Sequence, residues 1–304
     1  MAARVGWIAV IVGLVLFAIA VVWGGLGTLD APPPDAVTAK PAQRIVAMAP
    51  STVEIIYELE AGDRLIGVSS FCTYPPQVAD LARIGGLHDP DFEQIVALAP
   101  DLLITRGTGD ALRRLCQQNG ILVYEDPSDS LAGIYQAIRE IGDLLQRPRE
   151  ASELADRVRG ELDRVRQRVG DRRPVPMLLS IRRPGRIGKV YTVGRGVYLN
   201  DLIEIAGGRN VFGDVAAGWP VVGPEEVLSR APEVIVEAMP DVEMDDDLRA
   251  SVMEQWRALG PIPAVRDGRV YVITDDFALT PSPRLTGMAR RLAECLHPEV
   301  AIDE

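Results

Sequence analysis

Apolar residues in this chain recur with two periods, and short runs alternate with stretches of helical spacing. Residues 44–48, Arg-Ile-Val-Ala-Met, form a brief apolar run of the kind that makes a buried strand. Ser51-Thr52-Val53-Glu54 has the spacing of a capping box and predicts a helix to about Leu59, stopped by Gly62. A second strand is predicted over 65–68. A loop follows at Thr73-Tyr74-Pro75-Pro76, because proline restricts its own backbone and that of its predecessor. The alternation continues with a helix from Asp91, a strand over 102–105, a helix over 110–118 and a strand over 121–124. Strands alternating with helices at this spacing predict a parallel or mostly parallel sheet.

The middle of the chain reads as helix alone. One helix is predicted over 131–145, broken near Pro148. From 149 to 169 the apolar positions Ala151, Leu154, Val158, Leu162, Val165 and Val169 step by threes and fours among charged or small residues. That is one apolar stripe on a helix of about six turns, roughly 30 Å long. A coiled coil is the rival reading, but the stripe lasts only about three heptads. A helix lying across the backs of two lobes accounts for it better. Beyond Arg172-Arg173-Pro174 the α/β pattern resumes with a strand over 177–181 and a helix over 198–206 ended by Gly207-Gly208. A helix centred on Trp256, a strand over 270–273 and a last helix from about 283 to 296 complete it.

One phrase occurs twice. The first copy runs Glu93-Gln94-Ile95-Val96-Ala97-Leu98-Ala99-Pro100-Asp101-Leu102-Leu103-Ile104, and the second Glu225-Glu226-Val227-Leu228-Ser229-Arg230-Ala231-Pro232-Glu233-Val234-Ile235-Val236. Each is an acid, a short amphipathic helix, a small residue, proline, an acid and an apolar strand. A unit repeated once across half the chain predicts two similar lobes, and two lobes predict a cleft.

The N-terminus changes the picture. Between Val5 and Leu26 there is no charged residue, a length that spans a bilayer core as a helix. A cleaved leader is the alternative to an anchor. Either way Arg4 on one side and Asp30 on the other place the remainder outside the cytoplasmic membrane. The expected organisation is an anchor or signal segment at 1–27 and a proline-rich linker at 28–43. An N-terminal lobe at 44–128, a helical link at 129–172 and a C-terminal lobe at 173–304 follow. The net charge of -11 argues against nucleic acid as a partner, since phosphates reward Lys and Arg. Three cysteines, Cys72, Cys116 and Cys295, show no Cys-x-x-Cys spacing, and an odd count leaves at least one thiol unpaired. Two histidines, His88 and His297, are too few for a metal site built on several imidazoles.

Catalytic motifs are missing from the sequence: there is no Gly-x-Ser-x-Gly, no His-Glu-x-x-His and no complete dinucleotide or phosphate-binding loop. Two features remain. Glu93 and Glu225 occupy matching places in the first turn of matching helices. The helix dipole alone favours carboxylates there, and as a pair they would also offer one anionic knob per lobe to a basic partner. Phe71, Tyr74, Tyr191, Trp219 and Phe277 fall in predicted loops although aromatic content is only 5%. Each ring alone suits a core. Together, at strand ends around a cleft, they would suit a large, flat, partly apolar ligand.

Residues 44–54, then Gly67-Val68-Ser69-Ser70-Phe71 and Tyr74-Pro75-Pro76, the phrase from Glu93 to Ile104, Trp219-Pro220 to Pro232, and Ser282-Pro283-Arg284 together resemble the class III substrate-binding proteins for iron siderophores, haem and cobalamin. The resemblance covers essentially 44–296 and is most similar to cobalamin-binding members. It implies an α/β fold of two Rossmann-like lobes joined by a single long helix. It also implies an exported solute-binding protein, not an enzyme, that carries no cofactor of its own and delivers a corrinoid to an ABC importer. A glutamate on each lobe then engages the permease, at positions matched here by Glu93 and Glu225. Ligand-lining positions match Phe71, Tyr191, Trp219 and Asp276, with Tyr74, Leu87, Arg106 and Phe277 completing the expected cleft. Departures exist: Leu87 and Arg106 stand where the best-known cobalamin receptor has tryptophans, and Thr280 where it has arginine. Arg106 and Arg284 would instead suit an anionic ferric siderophore, and His88 with Tyr191 is a conceivable pair of haem ligands. An anchored sensor without a transporter is the alternative outside transport. The rigid helical link predicts small hinge motion on binding.

Overall fold

The computed structural model describes residues 40–107, 109–182 and 187–301. The segment 1–27 expected as anchor or leader, and most of the linker after it, lie outside the described residues. Among the described residues no helix is long and apolar enough to cross a membrane.

The first sheet contains β1 (Ile45–Ala47), β2 (Leu65–Val68), β3 (Ala82–Arg83), β4 (Leu102–Thr105) and β5 (Leu122–Glu125), in the order β3-β2-β1-β4-β5 with every pairing parallel. β1 and β4 are buried throughout, which is why they read as unbroken apolar runs rather than alternating ones. The crossovers are α1 (Pro50–Glu58), α2 (Phe92–Ala97) and α3 (Asp110–Gln118), and the chain then enters α4 (Leu131–Leu144) and α5 (Pro148–Val169).

The second sheet is mixed. It contains β6 (Val175–Ile181), β7 (Val190–Tyr191), β8 (Gly208–Asn210), β9 (Val221–Val222), β10 (Val234–Ala238) and β11 (Val270–Ile273). The order is β11-β10-β6-β7-β9, with β8 also on β6; β7 is antiparallel to both its neighbours and the other pairings are parallel. Its helices are α6 (Tyr198–Ile205), α7 (Pro224–Arg230), α8 (Asp246–Leu259), α9 (Pro263–Arg266) and α10 (Leu285–Leu296).

The capping box expected at Ser51 and Glu54 does not form. Ala49 is the N-cap of α1, Pro50 opens the helix with its fixed φ, and both Ser51 and Glu54 are buried. The helix ends one turn before Gly62. The Ala61 N–H donates to the Ile56 carbonyl at 3.0 Å and the Glu60 N–H to the Tyr57 carbonyl at 2.9 Å, with Glu60 at φ 54. This is a Schellman closure on a glutamate.

The repeated phrase is a repeated structure. In both copies the small residue before proline turns left-handed, Ala99 at φ 45 and Ala231 at φ 46. The acid after proline then ties back to the chain entering its own sheet. Asp101 accepts from the N–H groups of Gln43 at 2.8 Å and Arg44 at 3.1 Å, while Glu233 pairs with Arg173 at 2.6 Å.

The stripe on α5 is buried as Ala151, Leu154, Ala155, Val158, Leu162, Val165 and Val169. It packs against α4 on one side and against α6 and α10 on the other. Its polar face is tied to both halves: Arg157 pairs with Glu58 of α1, and Glu161 with Arg290 of α10 at 2.8 Å. One apolar cluster therefore runs from Ile45, Val53 and Leu102 through α4 and α5 to Leu199, Val236 and Met288. Smaller clusters close the far faces of the two sheets, around Leu103 and Ile95 on the first and Trp256 and Ile235 on the second. The described residues from Pro41 onward form one compact unit, and the three cysteines are free thiols.

Candidate functional site

In open α/β sheets the crevice outside the carboxyl ends of the strands is where ligands sit. The sequence-predicted residues lie at such ends. Phe71 and Tyr74 follow β2, Arg106 follows β4, and Asp276 and Phe277 follow β11. Tyr191 is paired with Ile181, the last residue of β6.

Arg284, at the N-cap of α10, draws several of them together. Its Nε and Nη2 donate to the two carboxylate oxygens of Glu54 at 2.8 and 2.6 Å, and its Nη1 to both oxygens of Asp276 at 2.8 and 2.9 Å. The guanidinium lies 3.7 Å from the centre of the Tyr74 ring and 5.9 Å from that of Phe277. Burial works against its charge, but the bonds to Glu54 and Asp276 outweigh burial and raise its pKa. Glu54 and Tyr74 belong to the first sheet's half, Asp276 and Phe277 to the second's, so one side chain joins the two. Glu54 is a residue that sequence reasoning missed. The available signal was a carboxylate flanked directly by Val53, Ile55 and Ile56, a run of apolar neighbours that marks a helix buried on every side.

Phe71, Tyr74, Tyr191 and Trp219 are all exposed, Phe71 with 66% of its surface in water. Several exposed rings on one fold are informative because water does not favour them there. The segments that carry them are braced through their backbone groups. The Phe71–Tyr74 loop is propped by Arg83, which donates to the carbonyls of Ser69, Cys72 and Val78 at 3.2, 2.7 and 3.1 Å. The Trp219 loop is clipped to β7 by the Thr192 N–H on the Pro220 carbonyl at 3.0 Å and the Gly194 N–H on the Gly218 carbonyl at 2.9 Å. A Cβ at Gly194 would lie 2.1 Å from the Ala217 oxygen, so only glycine permits that approach. Tyr191 pairs with Val221 across β7 and β9, which sets it two residues' distance from Trp219 on the facing chain.

The remaining positions sit differently. Leu87 is half-buried and packs against the cluster around Leu103. Arg106 pairs with Asp129. Beside it Asp126 is buried, and burial pushes its carboxyl up against the opposing bonds from Ser128 and the charge of Arg106. Ser51, expected as a cap, lies 3.4 Å from that carboxyl. The Asp129 carbonyl accepts from the Tyr198 N–H of α6 at 2.8 Å, a second polar link between the halves. Neither Arg106 nor Arg284 therefore offers an unpaired guanidinium to an anion. Glu93 and Glu225 stand in the first turns of α2 and α7, exposed and without an ion-pair partner among the described residues.

A recess of about 740 Å³ lies elsewhere, lined by Asn200, Glu204, Asn210, Asp214 and Arg230 among others. Its polar groups satisfy one another: Asn210 donates to Asn200 at 2.9 Å, Asn200 to Glu204 at 3.0 Å and Arg230 to Asp214 at 2.5 Å. It contains none of the exposed rings, so volume and ring chemistry disagree. The rings are the better guide, because a flat ligand is held by faces rather than by enclosure.

The family model described as "Periplasmic binding protein" matches residues 45–277. The chain belongs to the periplasmic binding protein family. It is 27% identical over 256 residues to a vitamin B12-binding protein of Vibrio campbellii, covering 84% of this chain and 89% of that one. Among solved structures it resembles the periplasmic vitamin B12 binding protein BtuF of Vibrio cholerae, with a TM-score of 0.70, 26% identity, and coverage of 84% and 97%. A periplasmic haem-binding protein of Pseudomonas aeruginosa shares the fold, with a TM-score of 0.73, 24% identity, and coverage of 86% and 94%. As a member of this family the protein is of the extracytoplasmic kind, and the relatives named here are binding proteins for vitamin B12 and for haem.

Proposed function

We propose that this protein binds a corrinoid between two lobes and delivers it to the permease of an ABC importer, without bond chemistry of its own. The observation that carries the reading is the set of exposed rings from both halves, Phe71 and Tyr74 after β2, Tyr191 beside the end of β6, and Trp219 on the chain facing Tyr191. The B12-binding names of the relatives favour a corrinoid over haem or a ferric siderophore. In this reading the lobes span 44–128 and 173–304, the helical link spans 129–172, and the N-terminal segment is an anchor or leader holding the lobes outside the cytoplasmic membrane. Phe71, Tyr191 and Trp219 contact the corrin face, Tyr74, Asp276 and Phe277 its edge, and Leu87 and Arg106 lie at the margin. Glu93 and Glu225, exposed and unpaired among the described residues, meet the basic permease surface.

Titration of the purified chain with cyanocobalamin tests this, with haemin and ferric siderophores as comparators and tryptophan fluorescence as one readout. Saturable binding at micromolar or lower Kd is expected, with Trp219→Ala weakening it about tenfold, the scale of losing one well-packed ring. No response to any corrinoid at micromolar levels sinks the ligand. Charge reversal at both Glu93 and Glu225 should abolish ligand-dependent stimulation of the transporter's ATPase and leave the binding constant unchanged.

A further inference from the structure

We propose that Arg284 is the positioning residue of the cleft, an internal counter-ion that ties the two halves together and selects against anionic cargo. The proposal rests on the binding reading above and narrows its ligand class.

A guanidinium has five N–H donors in a fixed plane. Four hydrogen bonds from Arg284 go to Glu54 and Asp276, both held bidentate, and one of its faces is covered by Tyr74. The Arg284 side chain retains 23% of its surface in water and Glu54 only 3%. An incoming carboxylate or catecholate would have to displace one of these partners, and displacing Glu54 would strand a buried charge. The arginine that a ferric siderophore would need is therefore already used within the protein. Lysine could not replace it, being a point charge that cannot grip two carboxylates in a plane.

What the group offers a ligand is acceptor capacity. One cation between two carboxylates leaves a single negative charge, and Asp276 is the exposed member, with 40% of its side chain in water. An ionised carboxylate only accepts, so the ligand edge that suits it carries N–H donors or positive charge. A chelate with amides around its rim meets that demand, and one with free carboxylates opposes it. Because Glu54 and Tyr74 come from the first half and Asp276 from the second, the same contact fixes the separation at which rings from the two halves face the ligand.

The test uses the full chain, Arg284→Met and Arg284→Lys, with two corrinoids of different charge: cyanocobalamin, which has no net charge, and aquacobalamin in mildly acidic buffer, which carries one positive charge. Removing the guanidinium leaves Glu54 and Asp276 uncompensated. Cyanocobalamin should weaken about tenfold in Arg284→Met, on the scale of breaking a close charge pair. Aquacobalamin should weaken much less, so the preference moves toward the cation, and Arg284→Lys should not restore the wild-type ratio. Equal loss for both corrinoids, unchanged binding, or full rescue by lysine overturns the proposal. If the wild-type protein binds no corrinoid, the binding reading fails separately, and hydrogen exchange then decides the tie. Arg284→Met should speed exchange in both Pro50–Glu58 and residues 274–277, and unchanged protection there overturns it.

Discussion

At the scale of single residues, Asp126 shows how much the ends of the strands depend on groups taken out of water. Its carboxyl is pushed above the ordinary aspartate value by burial, with bonds from Ser128 and the Arg106 charge opposing the shift. The folded protein thus keeps that proton at a pH where the unfolded chain has already released it. The resulting contribution to stability is full below the ordinary value and is lost as pH rises through the raised one. Asp126→Asn retains the oxygen that accepts from the Ser128 N–H at 3.0 Å and cannot ionise. Its melting temperature relative to wild type should rise between acidic and neutral pH, by about 2–4 °C for each unit by which the carboxyl is raised. A difference that stays flat with pH, followed by calorimetry, contradicts the assignment. The same neighbourhood shows where sequence is blind. Ser51 and Glu54 carry the spacing of a local cap, and local spacing is all that a sequence displays. Their partners, Asp126 and Arg284, lie 75 and 230 residues away, where only the fold brings them into reach. Arg284 was visible as part of Ser282-Pro283-Arg284, but not its pairing, so an arginine that looks available to an anion proves to be spoken for.

At the scale of elements, what the hydrophobic period determines was legible, and what depends on single backbone angles or on edge pairing was not. α3 and β11 fall at the predicted residues, and α5 differs from its stripe by one residue at its start. The two-residue strands β3, β7 and β9 carry no period, since two positions cannot alternate, and their places follow from pairing with a neighbour. Helix termination is the other gap. Gly62 looks like the stop for α1, but the left-handed residue is Glu60, while Gly62 makes room for Tyr57, whose ring would lie 2.3 Å from an added Cβ. A non-glycine residue in this region costs about 1–2 kcal/mol, partly offset by the greater freedom glycine gives the unfolded chain. Glu60→Gly should therefore stabilise the protein by about 0.5–1 kcal/mol, raising the melting temperature by about 1–4 °C. The ion pair lost with it, 3.7 Å from Arg147 and with the Glu60 side chain exposed, is of the kind that contributes little. A lower melting temperature would mean that the Glu60 side chain does more than close the helix.

At the scale of the whole molecule, the two sheets are joined by more than one device, and the devices are of different physical kinds. The apolar cluster through α5 is continuous from Ile45 to Met288, so separating the halves would expose core surface and not merely break a few polar contacts. Arg157 with Glu58 and Arg290 with Glu161 fix the helix to each half from its polar side. Arg284 with Glu54, and the Tyr198 N–H on the Asp129 carbonyl, add ties away from that helix. A hinge needs a few residues free to absorb a large change in φ and ψ. The link between the halves is instead a 22-residue helix with its stripe buried. Ligand entry should therefore reorder the rings and loops at the strand ends while leaving the relation of the two sheets almost unchanged. For a chain beginning at Pro41, small-angle scattering should give a radius of gyration of about 18 Å, the value for a compact chain of that length. Saturating cyanocobalamin should leave it unchanged within error, while hydrogen exchange slows around Phe71, Tyr191 and Trp219. A clear contraction on binding would show that the continuous core does not hold the halves, and that the ties across the cleft open and close with the ligand.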